Sequence, residues 1–421
     1  MIIKNEQTIV VPEHLNEEFF VNALEEGLRE TKIVIHEVNF AWGSNPGDNY
    51  CSSIYRVVIN YDSFGENPVK NEKISLIVKT IPITVETQFL EDVGVFVKEK
   101  LTYTDVLPRL AILSKADKFG ANCFYATKSP MQTIVFNDLT VDGFKVASRQ
   151  NGLDWNHSVL ILEQLAKFHA TSMVLLKKDP AIAKRFQRGM LCEETVLKTN
   201  TFFHMFGGYL NQLIKTSANW PGFEAITTKM QKYYDNFKNI TYKLGKPKEG
   251  DRIVVLNHGD LWTNNFMYGY EDDTQPQVPT KAIFVDFQLS FFGSPACDLN
   301  FFLNTSVQLD IIKTKREELI ETYYKTFAET LEYLRYDAIP TMDDLKYELR
   351  SRELYGLFAL FGFLPMVTIP KELSDDTSIE AFANEEYAAK KLALVFAQEK
   401  LQESLKYGLQ RFEELGVLDE F

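Results

Sequence analysis

Four cysteines in 421 residues, Cys51, Cys123, Cys192 and Cys297, leave this chain without a single CxxC pair. That spacing excludes a cysteine-built zinc site and a dense disulfide framework. Positive charge is also short: 45 Lys and Arg stand against 58 Asp and Glu, a net charge of −13. Holding nucleic acid through bulk electrostatics needs the opposite balance, so no nucleic-acid partner is expected. A local basic pocket for a phosphorylated ligand is untouched by that argument. Long apolar runs are missing too. The opening MIIKNEQTIVVPEHLNEEFF is interrupted by charge and Pro, unlike a signal peptide. The longest uncharged stretch, LYGLFALFGFLPMVTIP at 354–370, is broken by Gly356, Gly362, Pro365 and Pro370. It predicts a buried core helix and its exit, with no membrane span. There is no internal repeat and no low-complexity linker. A soluble, reducing, cytoplasmic protein is the expectation.

What is present is material for a large core. Apolar residues make up 45% of the chain and aromatics 13%. At this length two lobes or domains are expected. Residues 13–30 carry Leu15, Phe19, Phe20, Leu24 and Leu28 at helical spacing among acids. The texture then changes. IVIHEVNFAW (33–42), SSIYRVVINYD (52–62) and KISLIVKTIPI (73–83) are β-branched and aromatic, with the turn signals GSNPGDN and SFGENP between them. They predict an antiparallel meander of three strands. A helix is predicted over 87–107, then two short strands in ANCFYATK (121–128) and QTIVFNDL (132–139). From about residue 140 helical patterning dominates, beginning with an Asp154 cap and Leu160, Leu165 and Phe168 on one face of 154–176. Strand-like pieces return at IVVLNHGD, NNFMYGY and KAIFVDFQ. The fold class expected is α+β. A small antiparallel-sheet-plus-helix lobe, 1–139, joins a larger, mainly helical lobe, 140–421, with a cleft at the junction.

Two stretches carry chemistry. LNHGDLWTNN (256–265) leaves an apolar strand into a turn, and Asp286 of FVDFQ follows 21 positions after Asn265. FMY resumes a strand, YEDDTQPQVPTK turns it, and AIFVD returns antiparallel, which brings Asp286 back beside Asn265. An amide oxygen and a carboxylate at neighbouring strand ends are hard ligands suited to Mg²⁺ with bound phosphate. Asp260, one short loop away, can accept a proton from an alcohol attacking that phosphate. Each residue alone is an ordinary turn former. Their common register between two apolar strands is what points to a site.

HGDLWTNN followed by VDFQ resembles the catalytic and metal-binding loops of the kinase-like phosphotransferases. Within these it most resembles the ecdysteroid-kinase-like (CHK-kinase-like) family, relatives of choline kinases and aminoglycoside phosphotransferases. The resemblance implies a two-lobed protein-kinase-like fold that uses ATP and Mg²⁺. Asp260 would be the catalytic base, Asn265 and Asp286 the metal ligands, and His258 part of the loop's scaffold. Such a fold also needs a strand Lys for the α/β-phosphates and a helix Glu to pair with it. SLIVKTIP supplies Lys79 and FVKEKLTY supplies Glu99, with Tyr103 four residues on as in the family pattern. Glu86 and Glu91 compete but stand nearer the helix start. The nucleotide-covering loop falls on GDNYCSSIYRV (47–57), which is not GxGxxG: Gly47 is alone with Asn49, Ser52 and Ser53. Backbone N–H groups and hydroxyls there can still cradle phosphate oxygens. IVFNDLTVDGF (134–144) resembles the interlobe hinge, with Asn137 and Leu139 at the adenine-binding backbone and Asn137 where the family usually shows Glu. Asp298 in GSPACDLNFFL and His169 in LAKFHATS match the pattern as supports of the loop and core. The resemblance spans about residues 40 to 400, its C-terminal third by texture.

The acceptor is expected between the catalytic loop and the helical lobe, against an apolar wall of Leu354, Tyr355, Phe358, Phe361 and Phe363. Such a wall suits a steroid-like or other lipophilic alcohol, as the family resemblance also implies. A kinase for an amino alcohol such as choline stays open, since acidic and aromatic residues abound. So does a non-catalytic kinase-like binding protein, although Lys79, Glu99, Asp260, Asn265 and Asp286 are all intact. A metal hydrolase built on His258 and Asp260 lacks further His or Cys ligands nearby.

Overall fold

In this computed structural model, which describes residues 2–5, 9–44, 52–65, 68–82, 88–115, 117–272, 274–275, 277–373 and 384–421, the β-branched segments of the first third form one sheet. Its strands are β1 (Ile2–Asn5), β2 (Ile33–Trp42), β3 (Ser53–Ser63), β4 (Val69–Ile81), β5 (Cys123–Thr127) and β6 (Gln132–Asn137). They lie in the order β1-β2-β3-β4-β6-β5. The predicted meander is β2-β3-β4, all antiparallel; β1 adds a parallel edge that the sequence pattern did not announce.

Each face of the sheet has its own cover, as period-two alternation requires. Helix α1 (Glu17–Leu28), capped by the Asn16 side chain on Phe19 N at 3.1 Å, lays Phe19, Phe20, Ala23 and Leu24 over one face. There they pack with Ile35, Val38, Val57, Ile59, Val78 and Val135. The opposite face presents Ile81, Ile134 and Phe136 to the main core.

The helix expected over 87–107 is broken and extended. Gly94, at φ +74°, separates α2 (Gln88–Val93) from α3 (Val95–Leu101). A π turn, Thr102–Val106, then leads into α4 (Leu107–Ser114), whose first turn accommodates Pro108. Periodicity registers the apolar face of such a segment but not a change in residues per turn.

The remainder is mainly helical around α5 (Trp155–Lys178), where Asp154 caps through His157 N at 3.0 Å. Among the described residues α5 is the one helix long and apolar enough to cross a membrane, and 67% of that apolar window is buried inside the protein. Short helices α6 (Glu193–Val196), α7 (Gly208–Ser217), α8 (Glu224–Asp235) and α9 (Phe237–Leu244) follow it. Farther along come α10 (Ala296–Thr305), α11 (Leu309–Tyr333), α12 (Met342–Ser351), α13 (Glu353–Gly362) and α14 (Leu364–Val367). Between the two groups lie β8 (Val255–Asn257), β9 (Phe266–Tyr270), β10 (Pro279–Phe284) and β11 (Phe291–Gly293). β10 pairs antiparallel with β9, whose other edge takes β7 (Lys145–Val146), and β11 pairs with β8. These small sheets carry the two chemical stretches to the junction of the lobes.

Candidate active site

Lys79 lies opposite Ile54 of β3 and Ile134 of β6, in the middle of the sheet. Its side chain enters the cleft beneath α3 and is 3% exposed. Lys79 Nζ donates to Glu99 Oε1 and Oε2 at 3.0 and 2.8 Å, to Asp286 Oδ1 at 2.7 Å and to Gln288 Oε1 at 3.4 Å. Burial works to lower the lysine pKa, but the Asp286 and Glu99 carboxylates outweigh it and hold the pKa above the ordinary lysine value. Lys79 therefore stays an ammonium, a fixed positive charge between the lobes. Burial raises the Glu99 carboxyl, with Lys79 countering part of the shift.

The β9–β10 hairpin makes the second juxtaposition. Phe284 pairs with Phe266, and Val285 N donates to Asn265 O at 3.0 Å, so Asp286 emerges next to Asn265. Asp286 adopts φ 66°, ψ 61°, a left-handed conformation that Asp tolerates better than most residues with a side chain, and its carboxylate meets Lys79. Gln288 Nε2 donates to Asp286 Oδ2 at 3.2 Å. Asn265 Nδ2 donates to Asp260 O at 2.8 Å and Oδ2 at 3.0 Å. That orients the amide and leaves Asn265 Oδ1 without a protein donor among the described residues. Burial first and the Asp286 charge second push Asp260 up to about 7. A carboxylate that titrates near neutrality is suited to receive a proton there.

The turn holding Asp260 is supported from behind. Asp298 Oδ2 accepts from His258 N at 2.6 Å and Asp298 Oδ1 from Gly259 N at 2.9 Å. His169 Nε2 reaches the same Asp298 Oδ2 at 3.2 Å, and Tyr323 OH meets His169 Nδ1 at 2.8 Å. His258 Nε2 lies 2.9 Å from Val285 O, and Asp260 N donates to His258 Nδ1 at 3.3 Å. A ring that donates from Nε2 and accepts at Nδ1 is neutral, in line with the lowering of its pKa by burial. His258 thus bridges the two loops as scaffold.

Of the residues expected at the nucleotide, Ser52, Lys79, Asn137 and Leu139 line the cleft. Asn49 lies outside the described residues. Ser53 does not line it: it starts β3 opposite Thr80, and its carbonyl accepts from Thr80 Oγ1 at 3.4 Å. Gly43 and Ser44 stand at the cleft instead. The Asn137 side chain is occupied, its Oδ1 taking Asn122 N at 2.7 Å. Asp138 next to it was not singled out from the sequence. It fixes the turn after β6 by accepting from Arg56 Nε and Ser75 Oγ, both at 2.8 Å, and from Thr140 Oγ1 at 2.7 Å. The apolar wall also differs from expectation. Tyr355, Phe358 and Phe361 are buried in the core, because a helix apolar on all sides is enclosed. Of the five wall residues, Phe363 alone lines the cleft. Met190, Phe202, Met205, Phe206, Met366 and Val367 complete that half. No local sequence signal marks Phe202 and Phe206, which a π turn over Phe203–Gly207 brings around. The whole cleft has a volume of about 850 Å³, toward the upper end of the ~300–1,000 Å³ range of ligand sites.

Compared with known proteins, residues 46–336, more than half of the chain, match the family model described as the ecdysteroid kinase-like family. No curated protein matches significantly. Among solved structures, the chain is similar to a spectinomycin phosphotransferase in complex with ADP and spectinomycin. That match has 11% identity and a TM-score of 0.45, covering 94% of this chain and 99% of the other. It is also similar to a choline/ethanolamine kinase family protein from Mesorhizobium loti, with 11% identity, a TM-score of 0.33, and 83% and 89% of the two chains covered. A microcompartment-associated aminopropanol kinase matches with 11% identity, a TM-score of 0.32, and 90% and 96% covered.

Proposed function

This chain belongs to the ecdysteroid kinase-like family, and on that premise we propose that its cleft transfers a phosphoryl group from ATP to the hydroxyl of a small lipophilic alcohol. The observation that carries this reading is Lys79 Nζ, bonded to Glu99 at 2.8 Å and to Asp286 at 2.7 Å in front of Asp260. In this reading 1–139 forms the nucleotide lobe and 140–421 the catalytic and acceptor lobe. The Leu139 N–H, which meets no acceptor among the described residues, and the carbonyl of Asn137 face adenine. Lys79 holds the α/β-phosphates and Glu99 holds Lys79. Asp260 receives the proton of the acceptor hydroxyl and orients its oxygen toward the phosphorus.

Asn265 and Asp286 suit Mg²⁺. They offer one free amide oxygen and one carboxylate, and Mg²⁺ usually takes one or two protein oxygens, completing its shell with water and phosphate. Bound there, magnesium neutralises charge on the phosphate oxygens. The acceptor half favours a neutral, steroid-like molecule. Met190, Met205, Phe206, Phe363, Met366 and Val367 line it, and the carboxylates that line the cleft among the described residues are Glu99, Asp138, Asp260 and Asp286. An amino alcohol or aminoglycoside needs an anionic counterpart that these six residues do not supply.

A radiolabelled-ATP transfer screen across ecdysteroid, choline-like and aminoglycoside acceptors tests the proposal. The expected result is label on the steroid alcohol, with Asp260→Asn lowering kcat by about 10²–10⁴-fold while Mg–ATP binding persists. Label on choline or an aminoglycoside would redirect the acceptor class. Undiminished transfer by Asp260→Asn would refute the base. No transfer, and no Mg²⁺-dependent stabilisation by ATP, would leave a kinase-like binding protein.

A further inference from the structure

The segment that leads from Phe186 to α6 reaches across to the smaller lobe at two points. Lys98 Nζ, on α3, donates to Arg188 O at 2.8 Å, and Arg188 Nη1 donates to Asp92 O near the end of α2 at 3.0 Å. The segment is itself pinned to the larger lobe. Gly189 lies against Phe291, where an added Cβ would stand 3.2 Å from the ring, and Leu191 is buried. Lys98 is 3% exposed, and among the described residues no carboxylate forms an ion pair with it. A lysine head group buried with one carbonyl acceptor costs stability that a Met of similar shape would not. Packing alone does not account for it.

Lys98 precedes Glu99, and α3 is a seven-residue helix set off from α2 by Gly94 at φ +74°. Nothing within α2 rigidly continues into it. We infer that Lys98 is a positioning residue for the Lys79–Glu99 pair. By tying α3 to a fixed carbonyl of the larger lobe, it keeps Glu99 within reach of Lys79. The pair is then assembled by the fold, with no activating event required. The inference rests on the reading of Lys79 and Glu99 as the groups that hold the nucleotide phosphates.

The test is a double-mutant cycle read by calorimetric titration of Mg–ATP into wild type, Lys98→Met, Glu99→Gln and the double variant. Lys98→Met is expected to bind Mg–ATP about tenfold more weakly without melting lower than wild type, and Lys98→Arg to restore most of the affinity. In the Glu99→Gln background the same change is expected to cost less than about twofold, because its route of action is already gone. Lys98→Met is also expected to speed amide hydrogen exchange across 95–101. Unchanged affinity or unchanged exchange in Lys98→Met, or an undiminished loss in the Glu99→Gln background, each overturns the positioning role alone. Absence of Mg–ATP binding by wild type overturns both it and the nucleotide reading.

Discussion

The backbone that presents Asp260 is shaped by atoms that never face the cleft. Asp298 accepts from His258 N, Gly259 N and His169 Nε2. Asp298→Ala removes all three acceptor contacts and leaves buried donors unpaired, at a cost of about 1–3 kcal/mol each. A clear fall in thermal midpoint is expected by circular dichroism, together with loss of phosphoryl transfer at temperatures where the variant is still folded. Gly259 is constrained more tightly still. Its φ is +83°, and a Cβ there would stand 2.2 Å from Leu289 O, a backbone atom of the neighbouring loop. Gly259→Ala must therefore shift either the Asp260 turn or the loop after Asp286. Greater loss of kcat than of Mg–ATP affinity is the outcome to look for, since Lys79 and Glu99 lie elsewhere. The motif showed where Gly259 and Asp298 stand in the chain. Only the approach of residues distant in sequence gives the reason each is needed.

Helix α3 is the element on which several requirements converge. It supplies Glu99 to the cleft while burying Lys98, and burial lowers the Lys98 pKa to about 7. The sign of its effect on stability follows from the protons bound. Between about 7 and the ordinary lysine value of 10.5 the unfolded chain keeps the proton that the folded chain has released. Stability from this group therefore rises as pH increases across that window, and below it the folded state carries the full cost of the buried charge. Lys98→Met is expected to raise the urea midpoint near neutral pH and to flatten its rise toward alkaline pH. Parallel unfolding titrations of the two proteins at several pH values check this. A midpoint that rises equally in both would place the alkaline gain in another group. The helical period of 87–107 was legible in the sequence, but the break at Gly94 and the π turn over Thr102–Val106 were not.

Across the whole molecule one apolar core joins the lobes. Ile81, Phe96, Tyr103, Ile134 and Phe136 of the smaller lobe belong to the same cluster as Phe168, Phe284, Phe287 and Phe358 of the larger. Tyr103 is the seam, its ring 4.5 Å from that of Phe136 and 5.4 Å from that of Phe287. A ligand held in the cleft should therefore stabilise both lobes together. Mg–ATP at about 100 times its dissociation constant is expected to add about 2.7 kcal/mol, moving a single cooperative transition in differential scanning calorimetry. A chelator should abolish the shift. Two separate transitions, only one of them responsive, would contradict the shared core.

Legible in the sequence were the elements and the order along the chain of the residues that meet in the cleft. The order Lys79, Asp260, Asn265, Asp286 was legible because each of these residues is set by a strand end or turn within a few positions of it, and Glu99 because it follows in the next helix. The pairing of β9 with β10 then brings Asp286 to Asn265 with no long-range contact needed. The tertiary structure alone decided which apolar residues face the acceptor, since Phe358 and Phe363 share one apolar run yet only Phe363 reaches the cleft. It also decided that Asp138 anchors the turn after β6, that Ser53 pairs in β3 away from the cleft, and that Lys98 meets Arg188 O. The physical reason is common to these cases. Strand and turn propensities act over a few residues, whereas the side of a core or cleft a residue faces depends on packing between segments remote in sequence.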